Sequence, residues 1–376
     1  MSDSDEYSDE HPNEHPNEHP TWTEKPRRDG KPHGEWKVCP GFEPAEKMDA
    51  WYNGGRPLFP RKELQEIHDQ LRRPLSNGNL IFVRGFDGQW YEYVVRTGDR
   101  QEHDGKTYRL SRPQISYTDF ETLKEKVDGK LKPIYCPISI VHVKQPETNR
   151  LGFIENILRG RKMMDAAVDH WENHQAFLKV ELTLLMMNLQ RTITNIIGLA
   201  CGTFVDGWDL KASQRSAVQH AMLMLIRRLL QASHLGPGEV PCYVQDPAYT
   251  PADRMVLAEN NVETVQDPEG FLKMDDSSLV FCCEPTTCVK SIVADVARPL
   301  IIIWDTVVGS PYCNAESWDP DCPRVVAMMK DYDALDFPED ENFGDMTIYV
   351  RRDARYKKLK FHRCDKDFFP SAMNGT

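Results

Sequence analysis

The sequence predicts an α/β protein: a Rossmann-like, doubly wound, mostly parallel sheet of about five strands, preceded by a small antiparallel β meander and a long helix. Three observations predict it. Short runs rich in Val, Ile and Leu alternate with helical segments between residues 194 and 304, the rhythm of parallel strands joined by crossover helices. A turn bearing Gly198 and Gly202 follows the first of these runs, and Asp246, Glu284 and Asp305 follow or end later ones. Upstream, the Asp87-Gly88 and Asp104-Gly105 dipeptides separate β-rich runs, which reads as hairpins.

Taken in order, residues 1–50 read as an acidic tail. Glu10 to Pro20 is the tandem repeat EHPNEHPNEHP, whose prolines forbid a helix, so a disordered Pro/His-rich segment is expected. Pro60 then opens a helical pattern with Leu64, Ile67, His68 and Leu71 on one face, and Pro74 stops it. Strands are expected at Asn79–Arg84, Trp90–Arg96, Thr107–Leu110 and Tyr135–Val143. Residues 161–190 read as the longest helix, because Met164, Val168, Trp171, Leu178, Leu182, Leu185 and Leu189 recur at three- and four-residue spacing as one apolar stripe.

The parallel sheet is expected to follow. Thr194–Ala200, Val240–Gln245, Val262–Gln266, Ser278–Cys283 and Leu300–Trp304 supply its strands, with helices at Ala212–Ala232, Pro251–Asn260 and Thr286–Val296. The expected organisation is a tail at 1–50, a small α+β extension at 55–150, the Rossmann-like domain at 155–310, and an acidic loop and basic segment at 311–376.

Composition excludes several classes. The net charge of −12 comes from two segments, residues 1–30 and 331–345, so the remainder is near neutral. Non-specific nucleic-acid binding relies on neutralising phosphates and is therefore not expected, although Arg351 to Arg363 is a basic stretch. The densest apolar run, Leu300 to Trp304, ends at Asp305, far short of a bilayer span. The first ten residues carry acids and no Lys or Arg, unlike a secretory or transit signal, which points to a soluble chain in the cytoplasm, the nucleus or both. The ten cysteines then read as reduced thiols. Cys282, Cys283 and Cys288 form the densest group, but there is no C-x-x-C pair, and free Cys packs as a small hydrophobe. No metal site is expected.

In such a sheet a ligand binds outside the carboxyl ends of the strands. Gly198 and Gly202 form G-x-x-x-G, not the full dinucleotide fingerprint, and read either as a turn that lets backbone approach a phosphate or carboxylate or as a turn that needs small residues. Asp246 lies well beyond the interval of about 20 residues usual for a ribose-binding acid, and reads equally as a ligand acceptor or a turn-fixing residue. Ser213 and Gln214 open the next helix, Glu284-Pro285 follows the fourth strand and Asp305 ends the fifth. One acid or amide at several adjacent strand ends suits a polar small molecule. No nucleophile elbow, zinc-protease or P-loop motif is present.

Ile196 to Phe204, Ser213-Gln214, Gln245 to Asp253 with Leu257 and Val262, Leu279 to Phe281 and Leu300 to Trp304 together resemble the Sensitivity-to-Red-light-Reduced (SRR-like) family, in a fungal-type version with a long N-terminal extension. The resemblance spans about residues 160 to 310, and its most specific part is D-P-x-x-(S/T)-x-x-D, present as Asp246, Pro247, Thr250 and Asp253. It implies a regulatory role, in light and clock signalling, stress or cytoskeletal regulation, with haem metabolism for some members and no defined catalytic activity. Where the family reads Pro-His-Cys, this chain has Cys283-Glu284-Pro285, so a haem or metal role resting on that histidine does not carry over. The positions that do are Gly198, Gly202, Ser213, Gln214, Asp246, Pro247 and Asp253.

The expected function is thus a non-enzymatic regulatory protein, binding an unidentified small polar ligand at the strand ends together with protein partners. The alternatives are a nucleotide- or S-adenosylmethionine-dependent enzyme of methyltransferase type and a haem-binding or haem-pathway factor. If the thiols are neither disulfides nor zinc ligands, melting temperature stays unchanged on adding a strong chelator or a reductant. Stoichiometric zinc by elemental analysis contradicts that expectation.

Overall fold

The computed structural model describes residues 45–354, apart from 104–105, 128–134, 147–151, 188, 190, 207–208, 234 and 310–316. The tail repeat, the turn at 104–105 and the basic stretch beyond Ala354 lie outside the described residues. The extension comprises α1 (Ala45–Asn53), α2 (Arg61–Leu71), β1 (Leu80–Arg84), β2 (Trp90–Val94), β3 (Arg100–His103), β4 (Lys106–Leu110), β5 (Gln114–Tyr117), α3 (Phe120–Val127), β6 (Ile138–Val141) and β7 (Lys144–Pro146). Two long-axis helices follow, α4 (Phe153–Glu172) and α5 (Gln175–Met186). The sheet unit then runs β8 (Asn195–Leu199), α6 (Leu210–Ala232), β9 (Cys242–Gln245), α7 (Pro251–Glu259), β10 (Val262–Thr264), α8 (Glu269–Lys273), β11 (Ser278–Cys282), α9 (Val289–Val296), β12 (Ile301–Asp305), α10 (Pro323–Met329), β13 (Tyr332–Asp336) and β14 (Met346–Arg351).

All five expected strands join one seven-stranded sheet of order β10-β9-β8-β11-β12-β14-β13. Counted from β8 the order is 3-2-1-4-5-7-6, and β14 alone runs against the others. The order reverses between β8 and β11, which makes that gap the topological switch point. Alternation along the buried strands sends neighbours to opposite faces. Ile196, Leu279, Phe281, Ile301 and Ile303 join the core under α4, α5, α6 and α7, whereas Ile197, Val280, Ile302 and Trp304 join the core containing α9 and the extension.

That second core holds Met48, Phe59, Leu64, Ile67, Ile81 and Phe120, so the extension packs into it alongside α8, α9 and α10. Asp295 on α9 accepts from Leu58 N at 2.6 Å, Phe59 N at 3.0 Å and Arg324 Nη1 at 2.6 Å. Tyr117 Oη on β5 donates to Asp267 Oδ1 at 2.6 Å, and Gln245 Nε2 at the end of β9 donates to the same oxygen at 2.9 Å.

Two expectations are corrected and a third is refined. The long helix over 161–190 is two helices, because His174 caps a new start: its Nδ1 accepts from Ala176 N at 3.3 Å. The break resets the helical phase. Met164, Val168 and Trp171 are buried as expected, but on α5 the buried face is Phe177, Val180 and Leu184, leaving Leu178, Leu182 and Leu185 exposed. The expected antiparallel strands are present as hairpins, divided among three small sheets, β1-β2, β3-β4-β7 and β5-β6, because β4 pairs with the distant β7 rather than with β2. The acidic segment 331–345 is not all loop. It contains β13, an edge strand with Asp336 exposed and Asp333 half-buried against Arg352, and charged residues suit an edge that must not pair further.

The Asp267 carboxyl sits beneath Tyr117 and Gln245 although the residue as a whole is partly exposed, and burial pushes its pKa from 3.8 up to about 7, with Asp246 adding repulsion. A carboxyl whose folded pKa is raised binds more protons in the native state than in the unfolded one, so stability falls as pH rises from about 4 through about 7. Asp267→Asn keeps the acceptor and removes the ionisation. At pH 8 we expect it to melt higher than the unaltered protein by on the order of 2–4 °C, the shift about 1 kcal/mol gives a mid-sized domain, with the gain gone at pH 5. A difference independent of pH rules out this role.

Candidate functional site

The glycine turn leaves β8 through Ala200 and Gly202, at φ +53° and +72°. Gly198, inside β8, serves packing: a Cβ there would lie 2.6 Å from Leu223 Cδ1 and 3.0 Å from Val244 Cγ1, so α6 and β9 approach closely only because it is glycine. Gly202 N donates to Asp246 Oδ2 at 2.8 Å, and Asp246 Oδ1 accepts from Ala248 N at 2.8 Å. Burial raises the Asp246 pKa, against those two hydrogen bonds. The glycine turn and the acid after the second sheet strand therefore meet, as their positions suggested, despite their unusual separation in sequence.

Asp253 is fully buried and reaches the same turn from α7. Its Oδ2 accepts from Thr203 Oγ1 at 2.8 Å and from Thr250 N and Oγ1 at 2.7 Å each, while Oδ1 accepts from Phe204 N and Val205 N at 3.1 Å each. With Thr250 it forms the capping box that starts α7. Ser213 is buried in the first turn of α6, whereas Gln214 and Pro247 are exposed.

Several neighbours carried no motif. Ser216 Oγ shares its proton between Cys201 O at 2.7 Å and Gly202 O at 2.8 Å. His220 Nδ1 lies 2.7 Å from Ser216 O and Nε2 lies 2.7 Å from Tyr249 Oη; a carbonyl only accepts, so Nδ1 bears the proton and Nε2 accepts from the tyrosine. Burial pushes the His220 pKa down to about 4, fixing it as a neutral structural imidazole. The i, i+4 spacing of Ser216 and His220 on α6 was the only signal available.

Across the switch point, Glu284 adopts φ +45°. Its N donates to Asp305 Oδ1 at 3.1 Å, and its Oε2 accepts from Arg215 Nη1 at 2.7 Å. The β13–β14 loop closes against it: a Cβ on Gly344 would stand 2.7 Å from Glu284 Oε1, and Thr306 Oγ1 donates to Asp345 Oδ1 at 2.8 Å. That loop lines an open cavity of about 520 Å³ whose wall carries Glu339, Asp340, Glu341 and Asp345, a hostile setting for an anion.

Cys201, Cys282 and Cys283 are buried, and burial raises all three thiols above their ordinary range. Such thiols are poor nucleophiles and poor thiolate ligands. Among the described residues, no group of three or more His, Cys, Asp or Glu is placed to hold a metal ion. Below the β12 end, Lys290 Nζ pairs with Asp321 Oδ1 at 2.6 Å, both side chains essentially inaccessible. Asp319 accepts from Lys290 N at 3.1 and 3.2 Å, and Asp321 Oδ2 accepts from Val308 N at 3.1 Å. Burial alone would lower the ammonium pKa, but Asp319 and Asp321 raise it above the usual lysine value.

The SRR1 domain family model matches residues 172–350, which takes in the seven-stranded sheet except the last residue of β14. No curated protein matches the chain. Solved structures similar to it include the Haemonchus contortus phospholethanolamine N-methyltransferase 2 in complex with phosphomonomethylethanolamine and S-adenosylhomocysteine, at 11% identity and a TM-score of 0.25, over 63% of this chain and 56% of that one. The chain thus spans little more than half the length of that enzyme. Another is the SAM-dependent O-methyltransferase of Thermotoga maritima, at 10% identity and a TM-score of 0.25, over 74% of this chain and 94% of that one. Likenesses of this size carry no argument about what the crevice binds. No helix among the described residues is long and apolar enough to cross a membrane.

Lys290→Met is expected to destabilise the protein by about 3–5 kcal/mol, because it strands buried carboxylates without their cation. Lys290→Met combined with Asp321→Leu should recover much of that loss in a denaturant melt. A single variant as stable as the unaltered protein shows that Lys290 does not pin the loop after β12.

Proposed function

We propose that this chain is a non-enzymatic regulatory protein of the SRR-like kind, whose sheet binds a polar small molecule at the switch point and whose surface engages protein partners, in the cytoplasm or nucleus. The observation that carries the reading is the pair of left-handed residues other than glycine, Ala200 and Glu284, at the facing ends of β8 and β11. Backbone strain of this kind costs about 1–3 kcal/mol per residue and gathers at ligand sites. The groups that would do chemistry there are committed to internal contacts: His220 is held neutral and the thiols are held protonated. The family resemblance supports the same regulatory role, and the long segment before the sheet supports the fungal-type assignment.

A second reading, a nucleotide- or S-adenosylmethionine-dependent enzyme, draws on the contact between Gly202 N and Asp246 Oδ2, the pairing of glycine turn and acid that such folds use. Nothing favours the haem reading, because the buried Cys282 and Cys283 are unsuited to ligate as thiolates.

The test is a melting-shift screen against S-adenosylmethionine, nicotinamide cofactors, adenine nucleotides, free amino acids and haemin, with Asp246→Asn as the comparison. A ligand that raises the melting temperature should bind Asp246→Asn about 10- to 150-fold more weakly, the loss of one charge-assisted hydrogen bond. Methyl transfer to any acceptor moves the balance to the second reading. A blank screen, or an Asp246→Asn protein that fails to fold, removes the crevice and leaves Asp246 a turn-fixing residue.

A further inference from the structure

We infer that the glycine turn after β8 is an anion site filled by the protein's own carboxylates, Asp246 and Asp253, and is thereby closed to the phosphates of nucleotide cofactors. The turn is equipped to hold an anion. Phe204 N and Val205 N, successive backbone donors, converge on one oxygen at 3.1 Å each, and Thr203 Oγ1 donates to the other oxygen of the same group at 2.8 Å. Consecutive N–H groups aimed at one point form the concavity with which backbone binds phosphate, and a hydroxyl on the second oxygen completes bidentate recognition.

The group held there is the side chain of Asp253, delivered by the first turn of α7 and held from its own side by Thr250 N and Oγ1. It has no accessible surface. The remaining glycine donor, Gly202 N, is taken by Asp246 at 2.8 Å. Asp206 N donates to Thr203 Oγ1 at 3.1 Å, and Ala212 N, in the first turn of α6, donates to Asp209 Oδ1 at 2.7 Å. A phosphate arriving at this turn would have to displace a carboxylate from five hydrogen bonds while facing Asp246.

A ligand in the crevice therefore does not depend on a phosphate held by this turn. That corollary rests on the crevice reading, whereas the internal occupancy of the turn does not.

Truncating the carboxylate empties the site. Asp253→Ala should melt lower than the unaltered protein and regain several degrees as formate, acetate or inorganic phosphate is titrated at fixed ionic strength, because an anion that binds only the folded variant stabilises it by mass action. The unaltered protein should not respond. Asp246→Ala, at a half-buried position outside the capping box, carries the same test through Gly202 N should Asp253→Ala fail to fold. Variants indifferent to all three anions overturn the inference, and so does an unaltered protein stabilised by inorganic phosphate or ATP over the same range. Failure of the crevice reading shows elsewhere, as a blank screen against ligands without phosphate, so the two outcomes are separable.

Discussion

A carboxylate without accessible surface is tolerable only where donors surround it, and at Asp253 that requirement fastens the turn after β8 to the start of α7. Thr203, Phe204 and Val205 give the turn after β8 its shape by donating to it, and Thr250 starts α7 through the same oxygens. Ser216 then ties α6 to the turn through the carbonyls of Cys201 and Gly202, and His220 carries the connection on to Tyr249 beside α7. The first βαβ unit is thus held by the buried Asp253 side chain and by the Ser216, His220 and Tyr249 contacts beside it.

The other face of the sheet depends on a different constraint. Ile197, Val280 and Ile302 alternate away from α6 into a second core lined by α8, α9 and α10, to which the extension adds Phe59, Leu64, Ile67 and Phe120. The match to the SRR1 domain begins at residue 172, so the matched segment contains nearly all of the sheet but not the extension that shares its second core. Asp295, accepting from Leu58, Phe59 and Arg324, marks where that dependence is fixed by polar contacts. In this chain the extension completes the domain's core.

Much of this was legible in the amino-acid sequence. The parallel strands announced themselves because both faces are buried, which yields continuous apolar runs such as Ile301 to Trp304, and the fold class placed the glycine turn and Asp246 at neighbouring strand ends, where Gly202 N meets the carboxylate. Helix phase was not legible at His174, since a capping imidazole leaves the three- and four-residue spacing of leucines intact while rotating which of them face inward. β13 was hidden by its acids, because an edge strand with one wet face does not look apolar. The pairing of β4 with β7 skips an intervening hairpin, and no local pattern encodes a partner chosen at that distance. The role of Asp253 was half visible: its motif spacing singled it out, but only the three-dimensional turn shows that its partners are the protein's own N–H groups.

The antiparallel pair at the sheet edge extends this logic to the crevice. Glu284 holds a left-handed backbone, a conformation that L residues avoid, yet in that posture its N–H reaches Asp305 and its carboxylate reaches Arg215. Gly344 is constrained in turn by its left-handed backbone at φ +64°, which favours glycine. The carboxyl-end rim on this side of the sheet is thus assembled from the end of β11, the end of β12 and the loop that enters β14, and the position of that loop is set by β14 pairing along the whole of β12. The reversed strand is what brings the loop to the carboxyl ends of its parallel neighbours, and the glycine is what allows it to stay there.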